Sequence, residues 1–205
     1  MIVIIDTKMG NVKSIQSMFR KIGVKSQISH DLEVIASASR YILPGVGSFD
    51  TGMRYLNSSG IGELLARNIQ EYKKPILGIC LGMQLLTKGS EEGNLDGLGL
   101  IDAEAYKFDF KSLNLPLSLP VPNMGWNVAQ KSKDDKLWDG LDENRFYFVH
   151  SFYVKTKVLN ETLSVSKYGL EFASSIRKDN IYGVQFHPEK SHRYGMQLLK
   201  NFSEV

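Results

Sequence analysis

The stretch Pro75-Ile76-Leu77-Gly78-Ile79-Cys80-Leu81-Gly82 is the part of this chain that most narrowly limits its fold. An apolar run too short for a helix and without polar alternation suits a strand buried on both faces, as in parallel sheets covered by helices. The run ends in glycine, any residue, Cys80, any residue, glycine, and the helical pattern Met83-Gln84-Leu85-Leu86 follows. A strand that enters a helix through such a pentapeptide reads as a nucleophile elbow, a strained turn that lifts one side chain out at the sheet edge. The flanking glycines let neighbouring backbone pass close by, and the N-terminus of the following helix would favour a thiolate. Alone, the pentapeptide leaves two readings open, a reactive thiol or an inert core cysteine.

The residues before it repeat a simple pattern. Ile2 to Ile5 is a β-branched run, and after a turn at Gly10 the positions Val12, Ile15, Met18, Phe19 and Ile22 recur at helical spacing. A second unit has a short strand near Gln27 and Ile28 and a helix capped by Ser29 or Asp31. Tyr41-Ile42-Leu43 then runs into the loop Pro44-Gly45-Val46-Gly47, and helical segments between about Asp50 and Tyr72 lead back to the Cys80 strand. This alternation predicts an α/β fold: an open, doubly wound, mostly parallel sheet flanked by helices. Ligands bind such sheets at the carboxyl ends of the strands, where both Cys80 and the Gly45 loop fall. Beyond Leu100 the texture changes to strand-like pieces at Asn127 to Gln130, Phe146 to Val154, Glu171 to Arg177 and Ile181 to Phe186. These predict an added antiparallel or mixed strand region in the C-terminal half, closed by a helix from about Ser191 to Phe202. Leu113 to Pro122 carries Pro116, Pro120 and Pro122 and is expected to be an extended connection between the halves.

At 205 residues with 42% hydrophobic side chains, residues 1–205 are expected to form a single domain. A formal charge of +3 without a basic stripe argues against nucleic acid as a partner. The chain holds one cysteine, which excludes internal disulfides and cannot alone supply a structural zinc site, so a reducing, cytoplasmic setting is expected. The apolar start Met1 to Ile5 is far shorter than a membrane span and lacks the flanks of a signal peptide. No membrane association, metal or cofactor is expected.

A cysteine nucleophile needs a base, an orienter and oxyanion donors. Gln185-Phe186-His187-Pro188-Glu189 follows the strand-like Ile181-Tyr182-Gly183-Val184 and offers an imidazole and a carboxylate two residues apart. His187 would accept the thiol proton and return it to a leaving group, while Glu189 would fix its tautomer. The same residues alone would be an ordinary turn with a solvated acid; beside an elbow cysteine the functional reading dominates. The elbow supplies one oxyanion donor, the N–H of Leu81. The Pro44-Gly45-Val46-Gly47 loop offers a second in the N–H of Val46 or an adjacent amide, although Gly-Val-Gly by itself is more often a turn or a phosphate loop.

The elbow, the Pro-Gly-Val-Gly loop, Met124-Gly125-Trp126-Asn127, Phe148-Val149-His150-Ser151 and Gly183 to Ser191 occur together and in order. This combination resembles the class I glutamine amidotransferases, of flavodoxin-like fold, essentially from end to end. More narrowly, it is similar to the glutaminase subunits of imidazole glycerol phosphate synthases. The resemblance implies that Cys80 forms a γ-glutamyl thioester with L-glutamine, releases ammonia and is regenerated by water. It implies glutamine contacts at Gly45, Gly47, Gln84, Glu92, Ser151 and Phe152, with Glu92 facing the substrate's ammonium or else remaining a solvated acid beside Glu91. It implies ammonia delivery to a (β/α)8-barrel cyclase partner in a heterodimer serving histidine biosynthesis, and glutaminase activity that is weak without that partner. Asn11, Ser14, Asn123, Met124, Trp126, Tyr147 and Lys190 fall at or near the docking face, Trp126 being open to a core role as well. His150 is expected to be structural or interfacial, and His30 and His192 to lie on the surface.

The chain departs from the family pattern locally. Thr7 and Lys8 stand where Tyr and Gly are common, Asn123 where a histidine usually precedes Met-Gly-Trp-Asn, and Phe152 where tyrosine is frequent. None touches Cys80, His187 or Glu189, so the differences bear on the partner. A paralogous branch of such glutaminases serves a cyclase-like amidotransferase acting on a surface-polysaccharide sugar, and this is the alternative destination for the ammonia. A non-catalytic binding module and a thiol peptidase on the same sheet are the competing classes.

Overall fold

The computed structural model describes residues 1–110 and 119–205; residues 113–118 of the expected connection Leu113 to Pro122 lie outside them. The chain opens with β1 (Ile2–Ile5), α1 (Val12–Lys21), β2 (Ser26–Ser29), α2 (Leu32–Ser37), β3 (Arg40–Gly45), α3 (Phe49–Ser58), α4 (Ile61–Gln70), β4 (Ile76–Cys80) and α5 (Leu81–Leu85). It continues through β5 (Gly89–Ser90), β6 (Ala103–Lys107), β7 (Asn123–Val128), β8 (Gln130–Lys131), β9 (Arg145–His150), β10 (Phe152–Thr156), β11 (Thr162–Tyr168), β12 (Leu170–Lys178) and β13 (Ile181–Val184) to the final helix α6 (His192–Ser203).

Alternation along β1 explains the layering. Ile2 and Ile4 join one apolar cluster with Phe19 of α1 and Leu198, Leu199 and Phe202 of α6, whereas Val3 and Ile5 join the other with Phe49, Leu56 and Leu65 of α3 and α4. Successive strand side chains point to opposite faces, so a strand apolar at every position must be covered on both sides. The main sheet runs in the order β2-β1-β3-β4-β13-β12-β10-β6-β5. Its first four pairings, from β2 through β13, are parallel, and β12 and β10 continue it in antiparallel fashion. The expected parallel core with an antiparallel extension is therefore present. Asp31 rather than Ser29 caps α2, its carboxylate accepting from Glu33 N at 2.8 Å.

The C-terminal half departs from the expected strands in an informative way. Phe146 to Val154 is two strands: β9 pairs with β7 in a separate two-stranded ribbon, and β10 pairs with β6 and β12 in the main sheet. The chain changes sheets at Ser151, which sequence alternation does not reveal because propensity carries no record of the pairing partner. β6, of composition Ala-Glu-Ala-Tyr-Lys, and β11 were not signalled by the apolar pattern. In β11 the core-facing Ser164 is satisfied by Ser174 Oγ and Ser175 Oγ at 2.9 and 2.6 Å, so hydroxyls replace aliphatic groups there. Among the described residues no helix is long and apolar enough to cross a membrane.

Candidate active site

β4 ends at Cys80, whose φ of 55° and ψ of −111° place a non-glycine residue in sparsely populated backbone space. The turn is held by close packing. A Cβ on Gly82 would lie 1.7 Å from the Leu43 carbonyl oxygen, and one on Gly78 would lie 2.6 Å from the Gly82 oxygen. Only hydrogen fits at these positions, so the elbow reading of the pentapeptide rests on steric contact. The helix that follows has five residues, and the field at its N-terminus is that of a short turn rather than of a long aligned dipole. Direct contacts decide the sulfur's surroundings instead: the thiol donates to Val149 O at 3.7 Å and accepts from Gln185 Nε2 at 3.6 Å.

β13 runs beside β4 in parallel and delivers His187 to the same sheet edge. The His187 backbone N–H donates to Tyr147 O at 2.8 Å, and Ser191 Oγ donates to His187 O at 2.6 Å, which fixes the ring's base. His187 Nδ1 and Glu189 Oε1 are 2.7 Å apart, with both side chains almost fully buried. With the Nδ1 proton directed at the carboxylate, Nε2 is left for the sulfur side. Nε2 has no hydrogen bond of normal geometry, yet the thiol is near enough to act on the ring's charge. Burial works to lower the His187 pKa, but Cys80 and Glu189 outweigh it and hold it at about 10. A ring with that affinity for protons takes one from the thiol and holds it for a leaving group at the sulfur.

Val46, Gly47, Cys80, Leu81, Gln84, Glu92, Pro122, Val149, His150, Ser151, Phe152 and His187 enclose a cavity of about 290 Å³. This size matches a small metabolite. The nucleophile, its base, both loops named for oxyanion donors and five of the six predicted glutamine contacts therefore share one cavity. The sixth, Gly45, lies behind the wall, where an added Cβ would be 2.9 Å from Leu81 Cβ. Its role in this structure is to let β3 pass against the elbow. Glu92 lines the cavity and also accepts from Phe49 N at 2.8 Å, so its carboxylate ties the start of α3, just past Gly47, to the site.

The far wall comes from the ribbon. In the β7–β9 register Met124 faces Val149, Trp126 faces Tyr147 and Asn123 faces His150, and cross-strand partners share a face. Met124 and Trp126 are 62% and 42% exposed, and Trp126 stacks on His192 with ring centroids 5.7 Å apart. Lys190 Nζ lies 5.6 Å from the Tyr147 ring, joining that residue to the same exposed patch. Asn11 and Ser14 begin α1, where Asn11 Oδ1 accepts from Ser14 N at 3.3 Å, and α1 packs against the turn bearing Lys190. Asn123 is the exception among the expected surface residues: it is 4% exposed and its Nδ2 lies 3.0 Å from His150 Nε2. Strand alternation turns it inward while its neighbours Met124 and Trp126 face out.

His150 is accordingly a buried structural group. Its Nδ1 is 2.7 Å from Phe152 O, a pure acceptor, so the proton sits on Nδ1 and Nε2 accepts from Asn123. Burial is the main cause that lowers its pKa to about 4. Gln185, to which the sequence motif assigns no role, is fully buried and touches the sulfur. A polar residue in an otherwise apolar strand end was the available signal for it. Among the described residues no group of three or more His, Cys, Asp or Glu could hold a metal ion.

Comparison with known proteins agrees with this arrangement. The family model described as glutamine amidotransferase class-I matches residues 3–205. A protein of Methanococcus maripaludis named imidazole glycerol phosphate synthase subunit HisH 2 is 51% identical over 203 residues, covering 98% of each chain. A protein of Pseudomonas aeruginosa with the same name is 42% identical over 206 residues, covering 100% of each. A solved structure titled as a glutamine amidotransferase superposes with a TM-score of 0.75 at 17% identity, covering 98% of this chain and 97% of that one, which speaks to the fold alone. With a parallel-sheet elbow, a His-Glu pair at its edge and a family match over nearly its whole length, the chain belongs to the class I glutamine amidotransferases.

Proposed function

We propose that this chain is a glutaminase subunit in which Cys80 attacks the side-chain amide of L-glutamine, with His187 as base and acid and Glu189 as its orienter. The observation that carries the reading is the buried His187–Glu189 contact of 2.7 Å beside a strained elbow cysteine, all opening on one cavity. The sulfur attacks the amide carbon as His187 takes the thiol proton, and the oxyanion is met by the N–H groups of Leu81 and of Val46 or its neighbour. Collapse returns the proton to nitrogen and expels ammonia, leaving a γ-glutamyl thioester. Water, deprotonated by His187, then releases glutamate and restores the thiol. Gln84, Glu92, Gly47, Ser151 and Phe152 line the cavity where glutamine would sit; Glu92 offers a carboxylate to the substrate's ammonium.

The acceptor is a (β/α)8-barrel synthase subunit that makes imidazole glycerol phosphate in histidine biosynthesis, and the enzyme is a cytoplasmic heterodimer with residues 1–205 as one domain. Relatives named as subunits of imidazole glycerol phosphate synthase, similar over nearly full length, support this. A second reading has its own observation. The relatives in Methanococcus and Pseudomonas are numbered 2, and a relative in Campylobacter jejuni at 45% identity is numbered 1, as befits organisms with more than one such subunit. One copy then serves a cyclase-like amidotransferase acting on a surface-polysaccharide sugar, and among the local departures the exposed Lys8 fits a changed partner.

The test is glutamine hydrolysis measured with each candidate synthase subunit and its acceptor. Cys80→Ala should abolish glutamate release with the correct partner, and glutamate still released by that variant would refute the nucleophile assignment. Stimulation by the histidine-pathway cyclase identifies the first acceptor, and stimulation only by the sugar-modifying partner identifies the second.

A further inference from the structure

We propose that Gln185 is a further catalytic residue: its side-chain N–H holds the Cys80 sulfur in place as the thiol proton leaves, and a chain of hydrogen bonds fixes the way that amide faces. The proposal deepens the glutaminase reading and rests on it for the kinetic effect alone.

The direction of the amide follows from the one group in the chain that cannot be turned around. Phe152 O only accepts. It lies 3.3 Å from Gln84 Nε2 and 2.7 Å from His150 Nδ1, so both of those nitrogens carry their hydrogens toward it. Gln84 Nε2 also lies 3.1 Å from Gln185 Oε1 and directs its second hydrogen there. With its oxygen committed to Gln84, Gln185 presents Nε2 to the sulfur at 3.6 Å. Turning the Gln185 amide over would set N–H against N–H at Gln84 and an oxygen against the sulfur. Gln185 and Gln84 are 0% and 4% exposed. Neither can exchange these bonds for water without leaving a buried polar group unpaired.

The chemical consequence concerns the charged form of the sulfur. In the thiol, the proton is directed at Val149 O, 3.7 Å away. Once His187 takes that proton, the carbonyl faces a negative sulfur, and the Gln185 N–H stays on it as a fixed donor beside the protonated His187 ring. A donor to an ionised group is worth more than one to a neutral group. The chain also reaches the ribbon, because His150 Nε2 accepts from Asn123 at the start of β7.

Iodoacetamide alkylation of Cys80, followed by mass spectrometry across a pH series, reads the sulfur without requiring glutamine turnover. Gln185→Leu should slow alkylation about tenfold near neutral pH and displace its pH profile upward by about one unit. Gln185→Glu keeps the oxygen that accepts from Gln84 but sets a carboxylate against the sulfur, and should slow alkylation further. In glutamine hydrolysis with the synthase partner, kcat should fall about tenfold for Gln185→Leu while KM changes less than about twofold. Unchanged alkylation profiles in both variants would overturn the proposal. In the wild-type protein, which needs no variant to fold, the Gln185 side-chain amide proton resonance should move when Cys80 is alkylated, and a resonance that stays put would equally overturn it. If alkylation responds as expected and no partner elicits glutamine hydrolysis, the Gln185 assignment stands and the glutaminase reading fails.

Discussion

The parallel half and the antiparallel half build opposite walls of one cavity by different means. β3 and β4 carry the Val46–Gly47 loop and Cys80 on strands buried at every position past Arg40, and their site is set by backbone packed against backbone. The β7–β9 ribbon carries Val149 and His150 on strands with one face buried and one exposed. Its outer face holds Met124, Trp126 and Tyr147 together with Val149, which lines the cavity, so the surface open to a partner runs up to the active-site wall. The first arrangement gives rigidity to the reacting atom. The second leaves the opposite wall responsive to whatever docks on its outer face.

Adding one methyl group to each half is the harshest way to test that contrast. Gly82→Ala places a Cβ 1.7 Å from the Leu43 carbonyl oxygen, a backbone atom that cannot move without breaking the β3–β4 pairing. The expected result is loss of more than about 4 kcal/mol and little folded protein, read by thermal unfolding. At Gly125 in the ribbon nothing lies within 4 Å of an added Cβ, and only its φ of +139° opposes it. Gly125→Ala should cost about 1–3 kcal/mol and leave a folded protein. Equal destabilisation at the two sites would abolish the distinction between a backbone-locked half and an open one.

The His187–Glu189 pair sits at the seam between the halves, since His187 follows β13 but its backbone N–H bonds to Tyr147 of β9. Glu189→Gln removes the carboxylate that holds the Nδ1 proton. We expect kcat to fall about 10²- to 10⁴-fold, with KM nearly unchanged, in glutamine hydrolysis with the partner. A loss below about threefold would mean that the ribbon contact alone orients the imidazole.

Acid should act on the ribbon wall through His150. Its pKa in the fold is about 4 against 6.5 for the free side chain, so the unfolded chain binds more protons between these values. The stability from keeping this ring neutral is complete above about pH 6.5 and is lost as pH falls toward 4. From about pH 7 to pH 5 the loss is on the order of 2 kcal/mol. In His150→Gln that slope should flatten, which urea unfolding at the two pH values would check; an unchanged slope would assign the acid sensitivity elsewhere.

The same contrast explains which features are legible in the sequence. β4 and the elbow were legible because burial on both faces and the glycines at 78 and 82 leave an unbroken local signature. His187 and Glu189 were legible because both follow one strand closely and stand two residues apart. The break at Ser151 was not, since β9 and β10 differ in which strand they pair with and not in composition. Gln185 was hidden for a related reason: its partners Gln84 and Cys80 are 101 and 105 residues away, and only the folded sheet edge brings them together. Asn123 was expected on the surface with Met124 and Trp126, and a single step of strand alternation reverses it.

Trp126→Ala should have the smallest effect on the fold and is the finest probe of the ribbon's outer face. The indole is 42% exposed and contacts the His192 ring and, edge-on at 6.3 Å, the Tyr147 ring. Both ring neighbours are themselves exposed or half-buried, so truncation should cost less than about 1 kcal/mol of stability. A tryptophan on an exposed apolar face is worth far more once a partner covers it, commonly above about 2 kcal/mol at an interface centre. Titration calorimetry with the synthase subunit should then show binding weakened about thirtyfold or more, a ratio set by that energy. Because Tyr147 O holds the His187 N–H, the variant should also lower partner-stimulated kcat at saturation while leaving the unstimulated rate as it was. Weakened binding with full stimulation at saturation would make Trp126 an anchor only, and would place the coupling to His187 elsewhere on the ribbon.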